Sequence, residues 1–488
     1  VTAAAAAPAS GRRTASALGL AVARHVAGIA AGLLVIPLVA RRLGADGLGA
    51  WAILGTASFF LGVADLGTAT AVQRAAVRED AEATRRIVGA SLGIIALVAP
   101  LAALVGALFL VDLPGASAAL ARDLRLAAPV ALAGGVVAAY AFPLRAFALA
   151  KGGVGDVALA RAGGAIAQLG TTVAVLAARP TLVGPALGVA LGALVEVAWI
   201  ARAARVRDPA LPLAPRRAPA PEVRAALRDG AAMLAMNLVA LAALRADVMV
   251  LAGVAPLAVV AGYGVAFRAV DQSGTLVKQA TVALLPRLGS PRDRAEAAAF
   301  GTRLQVTLTA AGLAALVGAG GPLLVAWGGP AAGLPEARVA LALLAAASLV
   351  SAGHDTVAAA LTLGGKSAWA SAGPLAAGHV VNLALTFGLA RTVGVWATAG
   401  GTLLGALVST GVLWRRGAAL LGWGARDVAS ALSPGLVAGL ASGVTALALS
   451  RVAPGSAGAS LAIAGLATGV GIAAAGAWAR APRATAAR

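Results

Sequence analysis

The sequence predicts an all-α integral membrane protein of about 14 transmembrane helices, arranged as two pseudo-symmetric six-helix lobes plus two C-terminal helices. Three observations carry that prediction. Of the 488 residues 60% are hydrophobic and only 12% charged, with a mean hydropathy of +0.90, whereas a soluble chain has about 25% charged residues. Long, nearly charge-free runs recur from residue 17 to residue 479, each near the ~20 residues that a helix needs to cross a bilayer. The runs are continuous and do not alternate in polarity, so they exclude a transmembrane barrel.

The spans fall, in order, at 17–40, 50–73, 87–111, 126–149, 157–178 and 181–201, then at 229–252, 257–285, 301–328, 337–363, 368–390 and 393–414, and finally at 428–450 and 456–479. Residues 1–16 read as a cytoplasmic tail, 17–201 as the N-lobe, 202–228 as a basic cytoplasmic linker, 229–414 as the C-lobe, and 415–488 as the last two spans with a C-terminal tail. With the N-terminus in the cytoplasm, and residues in the end turns of spans counted with the adjoining loops, 28 of the 39 Lys and Arg lie on the cytoplasmic side, 8 lie opposite, and Arg245, Arg268 and Lys278 lie deep inside spans. Cytoplasmic loops carry the cationic excess, so both termini are expected in the cytoplasm. The net charge of +20 is thereby explained by topology, and nucleic acid is not expected as a partner. There is no cysteine, and His25, His354 and His379 are far apart. Neither a metal site nor a cofactor is expected.

The two halves resemble each other. Gly49 and Gly262 open second spans 213 residues apart, the same offset carries Arg74 onto Arg287, and "AALVGA" recurs at 102 and 314. Six spans separate equivalent helices, so both repeats run the same way through the membrane, and a pseudo-two-fold lies along its normal. Two lobes around a shared central site suit alternating access.

The span at 257–285 is unusual. On a helix, Arg268, Asp271, Gln272, Thr275, Lys278 and Gln279 form one stripe about 120° wide. A charge at mid-bilayer costs roughly 2.5–3.5 kcal/mol, so this stripe must face protein or water. One reading is a wet cationic cavity. The other is charge pairing, with Arg268 meeting Asp271 three residues on and Lys278 meeting Asp65, which lies 213 residues earlier. Arg24, in the first turns of span one, and Arg245, in span seven, are further candidates to line such a cavity. Asp65 and Asp271 are the carboxylates expected to take part in ion coupling or charge pairing. Glu196, Gln168, His354, Asp355, His379 and Asn382 read as packing hydrogen bonds between helices, and Asp247 reads as structural.

"LLVIPLVARRLGADGLGAWAILGTASFFLGVADLGTATAVQR" (33–74), "ADVMVLAGVAPLAVVAGYGVAFRAV" (246–270) and "HVVNLALTFGLARTVGVWATAGGTLL" (379–404) resemble the polysaccharide transporter family of the multidrug/oligosaccharidyl-lipid/polysaccharide exporter superfamily. The resemblance implies a flippase of the O-antigen or exopolysaccharide type, not an enzyme. Such a flippase moves polyprenyl-pyrophosphate-linked oligosaccharide across the bacterial plasma membrane, in contact with membrane lipids and with glycan-assembly proteins. Arg24, Arg245, Arg268, Gln272, Lys278 and Gln279 would then meet the substrate. The chain departs from the family at Trp396, where a small residue is usual. It also lacks, after Gly44, the turn expected of the lipid II branch. A cation-coupled multidrug exporter and a membrane glycan polymerase are the alternatives. The stripe, with two cations to one anion, disfavours a cationic cargo, and the short outer loops disfavour a polymerase.

Overall fold

In hydrocarbon every backbone donor and acceptor must be paired within its own segment, and the fold obeys this with helices throughout its described residues. The computed structural model describes residues 11–77, 80–110, 116–216, 246–364, 369–452 and 456–480, with isolated positions between 219 and 234. The helices are α1 (Gly11–Phe60), α2 (Thr68–Val77), α3 (Ala81–Leu110), α4 (Ala118–Ala139), α5 (Ala141–Ala150), α6 (Val154–Ala178) and α7 (Val183–Arg207). They continue with α8 (Leu257–Gly289), α9 (Arg294–Gly328), α10 (Pro335–Val350), α11 (His354–Gly364), α12 (Trp369–Val393), α13 (Val395–Leu421), α14 (Ala425–Val452) and α15 (Ala457–Arg480). Ten segments among the described residues are long and apolar enough to cross a membrane, and they coincide with expected spans three to six and nine to fourteen. Expected span seven lies mostly outside the described residues; its end, 246–252, is helical.

Three expected spans, the second, fourth and tenth, are not continuous helices. α1 holds the first span and the start of the second, divided at Gly44, whose φ of 70° belongs to the left-handed region that glycine enters without steric cost. The second span then stops at Phe60, tightens into a 3-10 turn at Leu61–Asp65, passes Leu66 and Gly67 with φ of 48° and 77°, and restarts as α2. Asp65 causes this break. Its carboxylate accepts from the backbone amides of Gly67 (2.9 Å) and Ala69 (3.3 Å), capping α2 at its start. Spans four and ten are also broken, at Tyr140 and at Ser351–Gly353, so that α4/α5 and α10/α11 repeat the same interruption.

The chain divides into two compact units. One comprises Val1–Leu38, Ala57–Val111 and Arg122–Ala231, the other Val39–Thr56, Asp112–Ala121 and Ala232–Arg488. Each is built on a glycine-mediated helix pair. In the first, α6 and α7 meet where Gly164 and Gly192 oppose one another, and a Cβ on either would stand 2.8 or 2.7 Å from the other's carbonyl oxygen. In the second, α12 and α13 meet at Gly378 and Gly405, where a Cβ on either would overlap the opposite carbonyl. These pairs stand 214 and 213 residues apart, so the internal repeat extends to backbone contacts. Small residues that let backbones approach are how helices associate in lipid. In the second unit α14 and α15 pack on α9, where Ser442 Oγ donates to the Ala311 carbonyl (2.7 Å).

The basic linker begins as a fixed strap on the first unit. Arg85 of α3 makes a bidentate pair with Asp208 (Nε–Oδ2 2.8 Å, Nη2–Oδ1 2.7 Å), Leu211 is buried with Val72, Val88, Leu92 and Phe147, and the Arg216 amide donates to the Gly89 carbonyl (3.1 Å).

Two outcomes follow from this packing. Gly405→Ala should force α12 and α13 apart and lower the thermal midpoint, an overpacking loss of about 1–3 kcal/mol. Gly400→Ala, on the same helix but facing open space, should raise it slightly; thermal unfolding of the two purified variants makes the comparison. The Arg85 guanidinium holds the Asp208 carboxyl below its ordinary range, so the strap's contribution is complete at neutral pH and is lost only as pH falls through that depressed value. Trypsin cleavage after the exposed Arg216 should therefore be slow from about pH 6 to about pH 8, and Asp208→Asn should speed it severalfold at neutral pH.

Candidate functional site

The polar stripe lies on α8. Arg268, Asp271 and Gln272 are all half-buried, on one face of a helix otherwise clothed in apolar side chains. That face begins against the 45–60 segment of α1. Gly264 presents the space where a Cβ would stand 3.3 Å from Ala52, and one turn on, a Cβ at Gly55 would stand 3.6 Å from Arg268 Nη2. Two glycines thus leave room for the guanidinium beside α1. The backbones of Arg24, Thr275, Lys278 and Gln279 are helical, but their side chains fall outside the described residues, as does Arg245 altogether. The structure accordingly brings together Arg268, Asp271 and Gln272 of the expected set.

Asp65 sits at the cap of α2, in the first unit, with its acceptor capacity directed at backbone amides. Its unit also contains a charge pair between two helices. Arg145 of α5 lies 3.4 Å from Glu196 Oε1 of α7, rests 4.7 Å from the centroid of the Phe142 ring, and donates from Nε to the Ala141 carbonyl. Both side chains are largely buried, at 14% and 20% exposure. Glu196 Oε1 accepts no hydrogen bond among the described residues, so the guanidinium is its compensation.

The second unit holds a more enclosed acid. Asp247, 2% exposed, lies on the helical segment 246–252 and accepts three hydrogen bonds: from Tyr263 Oη of α8 (2.7 Å, to Oδ2), Thr402 Oγ1 of α13 (3.0 Å, to Oδ2) and Thr386 Oγ1 of α12 (3.0 Å, to Oδ1). Asn382 Oδ1 is a second acceptor for Thr386 (3.2 Å) and lies 3.5 Å from Thr402 Oγ1. Gly401 makes room for that amide, since a Cβ there would stand 2.8 Å from Asn382 Oδ1. Asn382 and Thr386 are four apart on one helix and Thr398 and Thr402 four apart on the next, so each pair shares a face. Among the described residues no Lys, Arg or His contacts the carboxylate. Hydroxyls stand where water would otherwise solvate it.

The donor set is a single carboxylate with hydroxyl and amide oxygens. Oxygen ligands suit hard cations, while two or more carboxylates are usual for divalent ones, so this set fits a proton or a monovalent cation. No cluster of three or more His, Asp or Glu with metal-binding placement occurs among the described residues.

The repeat locates what is particular to this acid. Offsets of 213 and 214 carry Asn382 and Thr386 onto Gln168 and Thr172, but carry Asp247, Tyr263 and Thr402 onto Leu34, Ala50 and Val189. The first repeat keeps the amide and one hydroxyl, with Thr172 Oγ1 donating to the Gln168 carbonyl (2.7 Å), and lacks the carboxylate. In the sequence Asn382 reads as a packing group and Asp247 as a structural one. The signal was present in the two i,i+4 pairs and in the failure of Asp247 to repeat.

Against known proteins, no family model and no curated sequence matches the chain. Solved structures do match. The lipid II flippase MurJ in an inward closed conformation superposes with a TM-score of 0.67 at 13% identity, over 92% of this chain and 98% of that one. The eukaryotic MATE transporter AtDTX14 superposes with a TM-score of 0.64 at 14% identity, over 87% and 99%. A transporter of the MOP superfamily from Pyrococcus furiosus, described as having a binding pocket of reverse polarity, gives 0.56 at 15%, over 85% and 96%. The protein has the fold these transporters share.

The ion pair in the first unit yields a test. Arg145→Met strands the Glu196 carboxylate and should cost about 3–5 kcal/mol, whereas Arg145→Met with Glu196→Leu, which removes both charges, should recover most of the loss. Thermal unfolding of the single and double variants in detergent measures it.

Proposed function

We propose that a chain with this MurJ- and MATE-like fold is a flippase for polyprenyl-pyrophosphate-linked oligosaccharide, carrying it from the cytoplasmic to the outer leaflet of a bacterial plasma membrane. The observation that carries this reading is Arg268, a cation held half-buried beside Gln272 on a polar face of α8 in an otherwise apolar span. A lipid-linked sugar needs its pyrophosphate and hydroxyls kept hydrogen-bonded while its tail stays in hydrocarbon. A guanidinium offers planar, bidentate recognition of phosphate. Lys278 and Gln279, and with them Arg24 and Arg245, extend the same polar lining in this reading. Both termini are cytoplasmic, consistent with the distribution of Lys and Arg, and glycan-assembly proteins are the natural neighbours of such a flippase.

Energy enters at Asp247. A single carboxylate ringed by hydroxyls suits a proton or a monovalent cation, and its burial makes the charge costly to leave uncompensated, so occupancy by a coupling ion changes the local balance substantially. The same acid favours a second reading, a cation-coupled drug exporter. The two readings differ in the charge of the cargo, and Arg268 repels cations.

Reconstituted vesicles separate them. The wild type should flip a fluorescent polyprenyl-pyrophosphate glycolipid and leave ethidium gradients untouched. Arg268→Ala should lower flipping by about tenfold or more, since a hydrogen bond to a charged group contributes about 1.5–3 kcal/mol. Asp247→Asn should make flipping insensitive to an imposed cation or proton gradient. Ethidium export without glycolipid movement would give the assignment to the exporter.

A further inference from the structure

The last turns of α7 carry two cations that nothing in the first unit neutralises. Arg207 pairs with Asp156 of α6, and on α3 Arg85 and Arg86 pair with Asp208 and Glu82. Arg202 and Arg205 are exposed, and among the described residues no carboxylate pairs with either. Glu196, the acid of the same helix, lies about 120° around the axis from Arg202 and faces Arg145.

The face that holds these two arginines is the one that faces lipid. Leu187, Leu191 and Leu194 are exposed, and with Ala198, Arg202 and Arg205 they fall within about 80° of one another on the helix. One stripe therefore runs from hydrocarbon to the guanidiniums. Val206, 75% exposed, follows one turn after Arg202. Arginines bracketed by apolar side chains along the helix lie at headgroup depth, with their stems in the apolar layer. Ala198, small and exposed, leaves a notch between Leu194 and Arg202. Trp199 closes one side of that notch. Its ring, 43% exposed, rests against α6, where a Cβ on Gly163 would stand 3.9 Å from it. Tryptophan is suited to this depth, with an apolar body and a polar N–H.

We propose that Arg202, Arg205 and Trp199 form a site for one anionic glycerophospholipid in the leaflet at this end of α7. The two guanidiniums, about 4.5 Å apart along the axis, flank the phosphate, and each offers it paired donors. The indole N–H is available to the ester oxygens, and the acyl chains follow Ala198, Leu194 and Leu191. A lipid fits better than a soluble protein because the cations continue a leucine stripe that stays in hydrocarbon. On the expected topology this is the cytoplasmic leaflet, whose anionic lipids attract Lys and Arg. The site is separate from the α8 stripe and does not rest on the flippase reading.

Native mass spectrometry of the purified protein, titrated in neutral detergent with phosphatidylglycerol or phosphatidylcholine, counts the lipids retained. The wild type should hold one phosphatidylglycerol at about a tenth or less of the concentration that phosphatidylcholine needs. Arg202→Gln with Arg205→Gln should raise the phosphatidylglycerol concentration required by about tenfold or more, and Trp199→Leu should raise it severalfold. Arg202→Lys with Arg205→Lys, which keeps both charges, should recover most of the affinity. Arg216→Gln with Arg426→Gln removes the same charge from exposed positions elsewhere and should leave retention unchanged. Equal losses in the two Gln pairs, the sign of charge attraction without a site, would overturn the proposal, as would retention unaltered in both. A wild-type dimer that Arg202→Gln with Arg205→Gln dissociates, with lipid retention unaltered, would overturn it in favour of a second copy of the chain on this face. Thermal midpoints in lipid-free detergent should be equal across the set; should that of the Arg202/Arg205 Gln pair fall, Trp199→Leu against the control pair decides.

Discussion

Helices in hydrocarbon gain nothing by hiding apolar side chains from lipid tails, so this structure depends on how closely its backbones approach. The Gly164–Gly192 and Gly378–Gly405 crossings set that distance in the two units. The polar chemistry of the second unit inherits it. With α12 and α13 in backbone contact at Gly378 and Gly405, and with Gly401 clearing space for the Asn382 amide, the hydroxyls of Thr386 and Thr402 converge on one carboxylate to within 3.0 Å. A methyl at any of these glycines would separate the hydroxyls from the acid.

Charges inside the bundle are compensated in three different ways, each matched to its surroundings. Asp65 uses backbone amides freed by a break in the second span. Arg145 and Glu196 use each other, helped by the face of Phe142. Asp247, among the described residues, uses neutral hydroxyls. An ion pair satisfies both partners permanently, and an amide cap cannot change state. Hydroxyl compensation leaves an acid whose charge is still free to be altered, and among these arrangements it is the one suited to a working group.

Much of the fold was legible because the lipid imposes a single rule on length and polarity. The spans from α3 to α7 and from α9 to α15 lie where their apolar runs lie, and the repeat offset of about 213 reappears in backbone contacts. What was not legible depended on local chemistry that periodicity does not encode. The carboxylate of Asp65 stops a helix that its apolar neighbours would continue, and Arg145, four residues from a predicted span end, pairs with Glu196 of another helix, a partner that spacing along one helix does not reveal. The linker is marked in the sequence by its Pro and Arg content alone, yet Asp208 and Leu211, one polar and one apolar contact, hold it on α3. Of the site, the α8 stripe was visible from its spacing. The Asp247 cluster assembles from four separate segments and was not, although its acid and its threonine pairs stood in the sequence.

The segment Val39–Thr56 has a further consequence, for the way the protein is made. It is synthesised about 200 residues ahead of Leu257 yet packs in the second unit, where Gly49 lies against the Leu257 carbonyl. At a translation rate of about 5–20 residues per second, the roughly 200 residues between them occupy the ribosome for about 10–40 s. Throughout that interval the C-terminal part of α1 is in the bilayer with its partner not yet made. Gly49 and Gly55, whose lack of side chains makes room for Leu257 and Arg268 in the finished protein, leave this surface bare during the wait. Biogenesis of the chain therefore includes a long-lived half-assembled state, and the membrane-insertion machinery, or a lipid, has to shelter that surface until α8 arrives.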